Sequence, residues 1–212
     1  MSRRALLQAV SAGALLLAAG CGRKKGPKVA AVPAGAVVLA LGDSLTHGTG
    51  AAPDESYPAQ LAQLSGWQVV NAGVPGDTSA QALERLPALL AEHAPRLVLV
   101  GIGGNDLLRR LPEDTTRANL RRICELARAA GAQVLLIAVP RPSVSAAFSG
   151  SLADHAMYAE TADALSLPLH REGWSQVLAD ARLRSDQIHA NAAGYRHFAE
   201  RLAAAAREMG LR

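Results

Sequence analysis

Short apolar segments alternate with longer amphipathic segments along most of this chain, and this alternation constrains the fold more than any other feature. Short apolar runs predict strands, and longer stretches with apolar residues at helical spacing predict helices. The predicted strands cover residues 36–41, 68–71, 97–101, 133–138 and 166–169. The predicted helices cover residues 56–65, 78–93, 114–130, 151–165 and 192–208. Because alternating strands and helices build a parallel sheet with helices on its faces, we expect an α/β fold.

Local signals place the ends of several predicted helices. Thr78-Ser79 and Asp114-Thr115 are typical of helix N-caps, because short polar side chains accept hydrogen bonds from the free amides of a first turn. Gly66 and Gly131 follow helical segments and predict helix ends, since glycine accepts the left-handed conformation common there.

Glycine-rich turns follow three of the predicted strands, at residues 42–48, 73–76 and 101–104. In an open α/β sheet, ligands bind in the crevice at the carboxyl ends of the strands. We therefore expect the three turns to meet at one site.

Ser44 lies in the first of these turns, directly after an apolar run. A serine hydroxyl becomes a nucleophile when a base lies within hydrogen-bond reach and donors stabilise the oxyanion that forms. The amides of a short helical segment after Ser44 would point toward such a negative charge. Alternatively, Ser44 only caps that segment.

Two further turns offer candidate oxyanion donors. Asn105 follows a predicted strand on a glycine turn, and its neutral side-chain amide can donate without a proton transfer. The alternative for Asn105 is an Asx-turn that stabilises its own loop. Gly73 could offer a backbone amide, because the missing side chain lets an acyl group approach closely.

A carboxylate and a histidine lie three residues apart just before the last predicted helix, at Asp186 and His189. A histidine that acts as a general base needs a second group to fix its tautomer and stabilise the imidazolium. The other five histidines lie in predicted helical or surface contexts or lack a carboxylate at a matching offset: His47, His93, His155, His170 and His197. We therefore predict His189 as the base.

Together these segments resemble the GDSL or SGNH hydrolases over residues 36 to about 208. The resemblance is carried by Gly42-Asp43-Ser44-Leu45, Gly73, Gly103-Gly104-Asn105-Asp106 and Asp186-Gln187-Ile188-His189 in this order. Residues 71–79 and 83–90 are most similar to the bacterial thioesterase, arylesterase and lysophospholipase branch. The resemblance implies a flavodoxin-like, three-layer α/β/α fold with five parallel strands and no metal or organic cofactor.

The resemblance also implies a role for each motif residue. Ser44 would be the nucleophile, His189 the general base and then acid, and Asp186 the group that orients His189. The amides of Ser44 and Gly73 and the side chain of Asn105 would form the oxyanion hole. Ala190 departs from the family pattern, which often has proline after the histidine, and this puts the rigidity of the loop in question.

The first 21 residues predict a bacterial export signal, since arginines precede a short apolar run that ends in small residues. Leu17-Ala18-Ala19-Gly20-Cys21 resembles a lipoprotein box, although Ala18 stands where leucine is usual, so we expect lipidation at Cys21. The alternative is a cleaved signal with an incidental cysteine. Ser2-Arg3-Arg4-Ala5-Leu6-Leu7 also resembles a twin-arginine motif.

The predicted organisation is a signal segment over 1–21, a flexible tether over 22–35 and a hydrolase domain over 36–212. Pro and Gly in the second segment favour a linker. We expect a protein of the bacterial cell envelope that faces the periplasm and is held to the membrane through Cys21.

Charge argues against a nucleic-acid partner. The first 28 residues hold six of the 22 basic residues and none of the 18 acidic ones, so the remainder is slightly acidic. No basic stripe interleaved with aromatic residues occurs there. The basic run after Cys21 could lie on anionic lipid or serve only as a solvated tether. Cys124, in a predicted helix, is expected to pack as a small apolar residue.

The leading functional hypothesis is a serine esterase that hydrolyses small esters, thioesters or lysolipids through an acyl-serine intermediate. The alternatives are an O-acetyl esterase acting on polysaccharide and, from a different class, a non-catalytic binding protein with the same fold. Only seven aromatic residues are present, and this scarcity favours acyl substrates over sugars, which stack on aromatic rings. The segment 140–150 either shapes an acyl pocket or is only a connector.

Overall fold

The computed structural model describes residues 29–142 and 151–212. Five strands form one sheet: β1 (Val37–Gly42), β2 (Gln68–Gly73), β3 (Leu97–Gly101), β4 (Gln133–Ile137) and β5 (Leu169–His170). The strand order is β2-β1-β3-β4-β5, and every neighbouring pair is parallel. This arrangement confirms the predicted flavodoxin-like, five-stranded parallel sheet.

The described helices lie between these strands or follow the last of them. They are α1 (Ser44–His47), α2 (Tyr57–Ser65), α3 (Ser79–His93), α4 (Gly104–Leu108), α5 (Glu113–Ala129), α6 (Ala156–Leu165), α7 (Gly173–Ala179) and α8 (Ala192–Glu208). A short 3₁₀ turn covers Pro53–Glu55. The sequence patterns found the long helices, whereas α4 and α7 are too short to produce a periodic signal.

Alternate residues of each strand face opposite sides of the sheet, and two hydrophobic cores result. Val38 and Ala40 of β1 point to a core that is rich in aromatic residues, where α2, α7 and α8 pack. Leu39 and Leu41 point to an aliphatic core under α3, α5 and α6. The chain therefore forms the three α/β/α layers that the family resemblance implies.

Some helix ends differ from the sequence prediction. Thr78 caps α3 as expected, with Gln81 completing a reciprocal capping box. The predicted cap at Asp114-Thr115 is wrong: α5 begins at Glu113, because the Pro112 carbonyl already accepts from the amides of Thr115 and Thr116. Asp114 instead lies in the first turn, where its charge complements the helix dipole.

The helix predicted over 151–165 starts later, at Ala156. Residues before it are engaged elsewhere, because Pro140 and Asp154 form an antiparallel bridge and the Arg141 amide donates to the Ala153 carbonyl. His155 then caps the helix through its ring nitrogen, which accepts from the Met157 amide.

Residues 29–35, predicted as the second half of a flexible tether, lie on the domain instead. Val32 is only 2 % exposed, its amide donates to the Leu211 carbonyl, and its carbonyl accepts from the Trp67 indole. Ala30 exchanges two hydrogen bonds with the Gln133 side chain. The prediction missed these contacts because all of their partners are distant in sequence.

Two predictions lie outside the described residues. One is the signal segment with Cys21 and the first part of the tether, and the other is most of the 140–150 connection. Within residues 29–142 and 151–212, no helix combines the length and apolarity needed to cross a membrane.

Candidate active site

Ser44 is the first residue of α1, at the carboxyl end of β1. Asp43 caps this short helix by accepting a hydrogen bond of 3.0 Å from the Leu45 amide. The Ser44 amide has no acceptor among the described residues, as expected for a first helical turn. A hydroxyl and a free amide of one residue therefore lie together at the helix start.

The structure brings Ser44 together with the two residues predicted near the C-terminus. His189 Nε2 lies 2.9 Å from Ser44 Oγ, and His189 Nδ1 lies 2.8 Å from Asp186 Oδ2. Because an ionised carboxylate only accepts hydrogen bonds, Nδ1 carries the imidazole proton and Nε2 accepts from the serine hydroxyl. These contacts form a continuous Asp186–His189–Ser44 hydrogen-bond chain.

The loop that carries Asp186 and His189 is closed by its own contacts. The other oxygen of Asp186 accepts from the amides of Ile188 and His189, each at 2.8 Å. Ser185 donates its amide to the His189 carbonyl, and Arg184 and Ala190 form an antiparallel bridge. Ala190 is fully buried, so this loop is fixed without the proline that the family often has there.

The surroundings of Asp186 favour its charged form. Partial burial pushes the pKa of Asp186 upward, but the hydrogen bonds from the His189 ring and from two backbone amides outweigh it and hold the pKa below its usual value. Asp186 therefore stays ionised in mildly acidic solution and can stabilise a protonated His189.

Asn105 lies in the first turn of α4, after β3. Its amide nitrogen donates to the Asp77 carbonyl at 3.0 Å and lies 3.5 Å from Asp43 Oδ2. The first contact fixes the side chain, and the second is long enough to leave one N–H available to a better acceptor. Asn105 thus lies beside the residue that precedes Ser44.

Gly73 does not offer the free amide that was predicted for it. Its N–H donates to Asn71 Oδ1 at 3.0 Å. A side chain at Gly73 would come within 2.1 Å of the His47 amide nitrogen, so the glycine is required by the packing of β2 against α1. The structure therefore gives Gly73 a packing role and assigns its amide to Asn71.

Gly76 is a donor that sequence reasoning missed. The Asp77 amide donates to the Val74 carbonyl, which closes a turn with Pro75 and Gly76 as its central residues. Gly76 has φ of 85°, as the third position of a type II turn requires, and its amide has no acceptor among the described residues. The Pro-Gly pair in the sequence is the signal that could have indicated this turn.

Asp43 is a buried carboxylate next to the serine, only 3 % exposed. Burial raises its pKa to about 6, against the opposing effects of the Leu45 amide and the nearby His189. The site therefore holds a charge in an environment that disfavours it.

Asp106 connects the loops after β2 and β3 through buried hydrogen bonds. It accepts hydrogen bonds from the amide and hydroxyl of Ser79, at 2.8 and 2.6 Å, and from Thr116 at 3.2 Å. Because Asp106 is 2 % exposed, it is a buried anchor between α3, α4 and α5 and not a solvent-facing acid.

The remaining histidines take no part in this hydrogen-bond chain. His47 and His197 are exposed, and His93 lies in the last turn of α3. His155, which caps α6 in line with the predicted helical context, and His170, which lies in β5 and not in a helix, are each 3 % exposed, so neither lies on the surface. Burial lowers the pKa of His170 to about 4, which keeps its ring neutral.

Two other kinds of site, a metal cluster and a reactive cysteine, find no support in the described part of the chain. Within these residues, no cluster of three or more His, Cys, Asp or Glu side chains has an arrangement suited to a metal ion. Cys124 is fully buried in the aliphatic core, and burial raises the pKa of its thiol to about 12, so it packs as an apolar residue as expected.

Comparisons with known proteins agree with this arrangement. Residues 40–197 match the model of the GDSL-like lipase/acylhydrolase family. The chain is 39% identical over 164 residues to the thioesterase 1/protease 1/lysophospholipase L1 of Escherichia coli K12, a match that covers 73% of this chain and 75% of that protein. It is 38% identical over 118 residues to an arylesterase of Vibrio mimicus, covering 53% of this chain and 59% of that protein.

A crystal structure of TesA superposes with a TM-score of 0.73 at 31% identity, covering 82% of this chain and 99% of that structure. The family model spans most of the sheet and all four loops that carry the site, namely those after β1, β2 and β3 and the loop of Asp186 and His189. The chain therefore belongs to the GDSL-like lipase/acylhydrolase family, and it is an enzyme of this ester-hydrolysing family.

Proposed function

We propose that this enzyme hydrolyses carboxylic esters and thioesters in two steps, through an acyl ester of Ser44. The observation that carries the proposal is the continuous hydrogen-bond chain from Asp186 through His189 to Ser44 Oγ. This combination supplies a nucleophile, a base and a group that orients the base.

In the first step His189 Nε2 takes the proton of Ser44 as Oγ attacks the substrate carbonyl. The imidazolium that forms is stabilised by Asp186, whose pKa is held below its usual value and which therefore remains charged. His189 then donates its proton to the departing alcohol or thiol, and the acyl group stays on Ser44.

Three donors are proposed to stabilise the negative oxygen that develops on the substrate. They are the amides of Ser44 and Gly76 and the side-chain amide of Asn105. The first two have no acceptor among the described residues, and Asn105 is fixed beside Asp43 by the Asp77 carbonyl. Free donors that are already oriented stabilise an oxyanion with little reorganisation.

In the second step a water molecule attacks the acyl ester, with His189 again acting as the base. The same donors stabilise the second tetrahedral intermediate, and Ser44 leaves with the proton returned by His189.

The surface around the serine favours acyl substrates. Among the described residues, five large apolar side chains are exposed, and four of them lie on or beside the loops that carry the site, namely Val74, Leu108, Leu111 and Ile188. Exposed apolar side chains grouped around a polar centre are typical of a surface that binds an apolar ligand. The names of the relatives, a thioesterase/lysophospholipase and an arylesterase, support the same substrate class.

Aromatic residues are not available for sugar binding in the described part of the chain. The six described ones are at most 3 % exposed: Tyr57, Trp67, Tyr158, Trp174, Tyr195 and Phe198. A polysaccharide site usually stacks rings on exposed aromatics, so this burial disfavours the O-acetyl esterase alternative.

We further propose that the enzyme is exported and anchored in the bacterial cell envelope through a lipid on Cys21. The arginine-led apolar segment and the small residues before Cys21 support this proposal. Labelling cells with a radioactive or alkyne fatty acid tests it, with Cys21→Ser as the control. Label on the wild type alone is expected, and equal label on both proteins would contradict lipidation at Cys21.

The catalytic proposal is tested by hydrolysis of p-nitrophenyl acetate, butyrate, octanoate and palmitate, an acyl-CoA and a lysophosphatidylcholine. Ser44→Ala is the control, because it removes the nucleophile and leaves the fold. We expect hydrolysis that depends on Ser44, with a chain-length profile that separates small-ester from lysolipid or thioester preference.

A phosphonate ester that reacts with activated serines tests the covalent step directly. Mass spectrometry is expected to locate the adduct on Ser44 and to find none in His189→Ala. Hydrolysis that survives in Ser44→Ala, or an adduct on another residue, would refute the acyl-Ser44 mechanism.

A further inference from the structure

A half-buried arginine on α3 connects two of the loops that form the site, without touching the Asp186–His189–Ser44 chain. Arg85 Nε donates to Asp77 Oδ2 at 2.7 Å, and Arg85 Nη2 donates to the Gly42 carbonyl at 2.9 Å. Its side chain is 24% exposed, and that of Asp77 is 9% exposed. Both contacts are therefore partly shielded from solvent, where charge-assisted hydrogen bonds are strong.

Each contact of Arg85 ends at a backbone segment that carries a proposed oxyanion donor. Gly42 is two residues before Ser44, and its carbonyl also accepts from the Val74 amide at 3.1 Å. Asp77 directly follows Gly76. The guanidinium thus connects the turn that carries the Ser44 amide to the turn that carries the Gly76 amide.

Arg85 is also connected, through Asp77, to the third proposed oxyanion donor, the side-chain amide of Asn105. The Asp77 carbonyl accepts from Asn105 Nδ2 at 3.0 Å, so the backbone held by Arg85 also positions the Asn105 amide. One side chain therefore contacts, directly or through Asp77, the loops after β1, β2 and β3. A planar guanidinium with several N–H donors suits this task, because it can engage two acceptors in fixed directions.

We propose that Arg85 is a positioning residue for the oxyanion hole, acting through Gly42 and Asp77. This inference rests on the proposed acyl-Ser44 mechanism and adds a residue to it. Because small displacements of oriented donors are costly in the transition state, the effect falls on turnover and not on substrate binding.

The experiment compares Arg85→Ala and Arg85→Lys with the wild type on a p-nitrophenyl ester. We expect kcat of Arg85→Ala to fall roughly 10- to 100-fold with KM within about twofold. Arg85→Lys is expected to recover only part of the loss, because an ammonium group cannot reproduce the two-directional contact. Free guanidinium ion, well below unfolding concentrations, is expected to restore part of the activity of Arg85→Ala and none of that of Ser44→Ala.

A boronic acid that forms a tetrahedral adduct with serine provides a readout that a purely structural role would not produce. Its dissociation constant is expected to rise in Arg85→Ala by the same factor by which kcat/KM falls. Asp77→Asn, which keeps an acceptor for Arg85, is expected to retain more activity than Asp77→Ala.

Arg117→Ala is the control, because Arg117 also forms an ion pair, with Glu160 between α5 and α6, but has no described contact with the loops after β1 and β2. This pair is more exposed than Arg85–Asp77, with side chains 36% and 55% exposed. We expect wild-type kcat in this variant. The double variant Arg85→Ala/Asn105→Ala is expected to lose less than the product of the single losses, since both changes act on the same donors.

Unchanged turnover in folded Arg85→Ala would overturn the proposal. A loss that follows only the folded fraction, or losses that multiply fully with Asn105→Ala, would also overturn it. Failure of the catalytic mechanism itself would be distinguishable, because wild-type activity would then not depend on Ser44.

Discussion

The sheet has two edges where its strands begin and end, the amino-end edge and the carboxyl-end edge, and these two edges are stabilised in different ways. At the amino ends of the strands, the contacts described above are made by uncharged groups: backbone hydrogen bonds, hydrogen bonds of the Trp67 and Gln133 side chains, and buried apolar side chains. At the carboxyl ends, charged and polar side chains connect loops, and two backbone amides, those of Ser44 and Gly76, have no acceptor among the described residues.

The difference follows from what each edge has to do. An edge that only closes the domain satisfies its polar groups internally, as buried backbone groups normally are. An edge that binds a reacting group keeps donors free and holds them in place with side chains. Asp43, a buried charge beside Ser44, adds a cost in stability at this edge. The comparison predicts that changes at the two edges affect activity and stability separately.

Loss of the nucleophile is expected to separate the effect on activity from the effect on stability most clearly. Ser44→Ala is expected to lower kcat by a factor of about 10⁴ or more, as removal of a nucleophile in a hydrogen-bonded triad does. The free energy of unfolding is expected to stay within about 0.5 kcal/mol of wild type, because only one hydroxyl is removed. Ester hydrolysis and urea unfolding measure both quantities, and a large loss of stability would contradict the comparison.

Loss of one side-chain donor is expected to have the next largest effect. Asn105→Ala should lower kcat by about 10²- to 10³-fold, the usual effect of removing an oxyanion donor. Steady-state kinetics is expected to show little change in KM, since the donor acts mainly in the transition state. Near-normal turnover in the folded variant would remove Asn105 from the catalytic site.

At the opposite edge, a truncation is expected to affect stability alone. Val32→Ala leaves the backbone contacts in place but opens a cavity at a side chain that is 2 % exposed, at a cost of about 2 kcal/mol. Urea unfolding measures this loss, and kcat/KM of the folded variant is expected to match the wild type. A change in kcat would show that the two edges are coupled.

The smallest expected effect concerns the buried charge of Asp43. Because its pKa is raised to about 6 in the folded protein, the folded state keeps a proton that the unfolded chain has already lost above pH ~4. The contribution of Asp43 to stability therefore falls as pH rises through 6.

Unfolding of wild type and Asp43→Asn at pH 5 and pH 8 tests this sign. Between pH 5 and pH 8, the free energy of unfolding of the wild type is expected to fall by about 1.5 kcal/mol relative to that of Asp43→Asn. A difference that is the same at both pH values would show that the Asp43 charge carries no such cost.

Much of the fold could be predicted from the sequence because its signals are local. The apolar runs at β1 and β3 and the capping residues of α3 each act within a few positions of the chain. The short helices α4 and α7 lacked this kind of signal, since a helix of one or two turns has no periodicity to detect.

The site was predicted in part for the same reason. Ser44, Asn105, Asp186 and His189 belong to motifs whose residue types indicate their chemistry, and the structure brings them together. Gly73 was wrongly predicted to be an oxyanion donor, because the sequence does not distinguish a glycine needed for packing from a glycine that offers a free amide. Gly76 was missed because only the turn geometry leaves its amide free.

Local residue patterns indicate the order of strands and helices, the glycine turns after the strands and the kinds of side chain that those turns carry. Tertiary structure alone decided which backbone amides remain free, that Asp43 is buried with a raised pKa, and that Arg85 connects the loops. The physical reason is that burial and hydrogen-bond pairing depend on residues far apart in the chain. Only the folded sheet brings those residues to one edge.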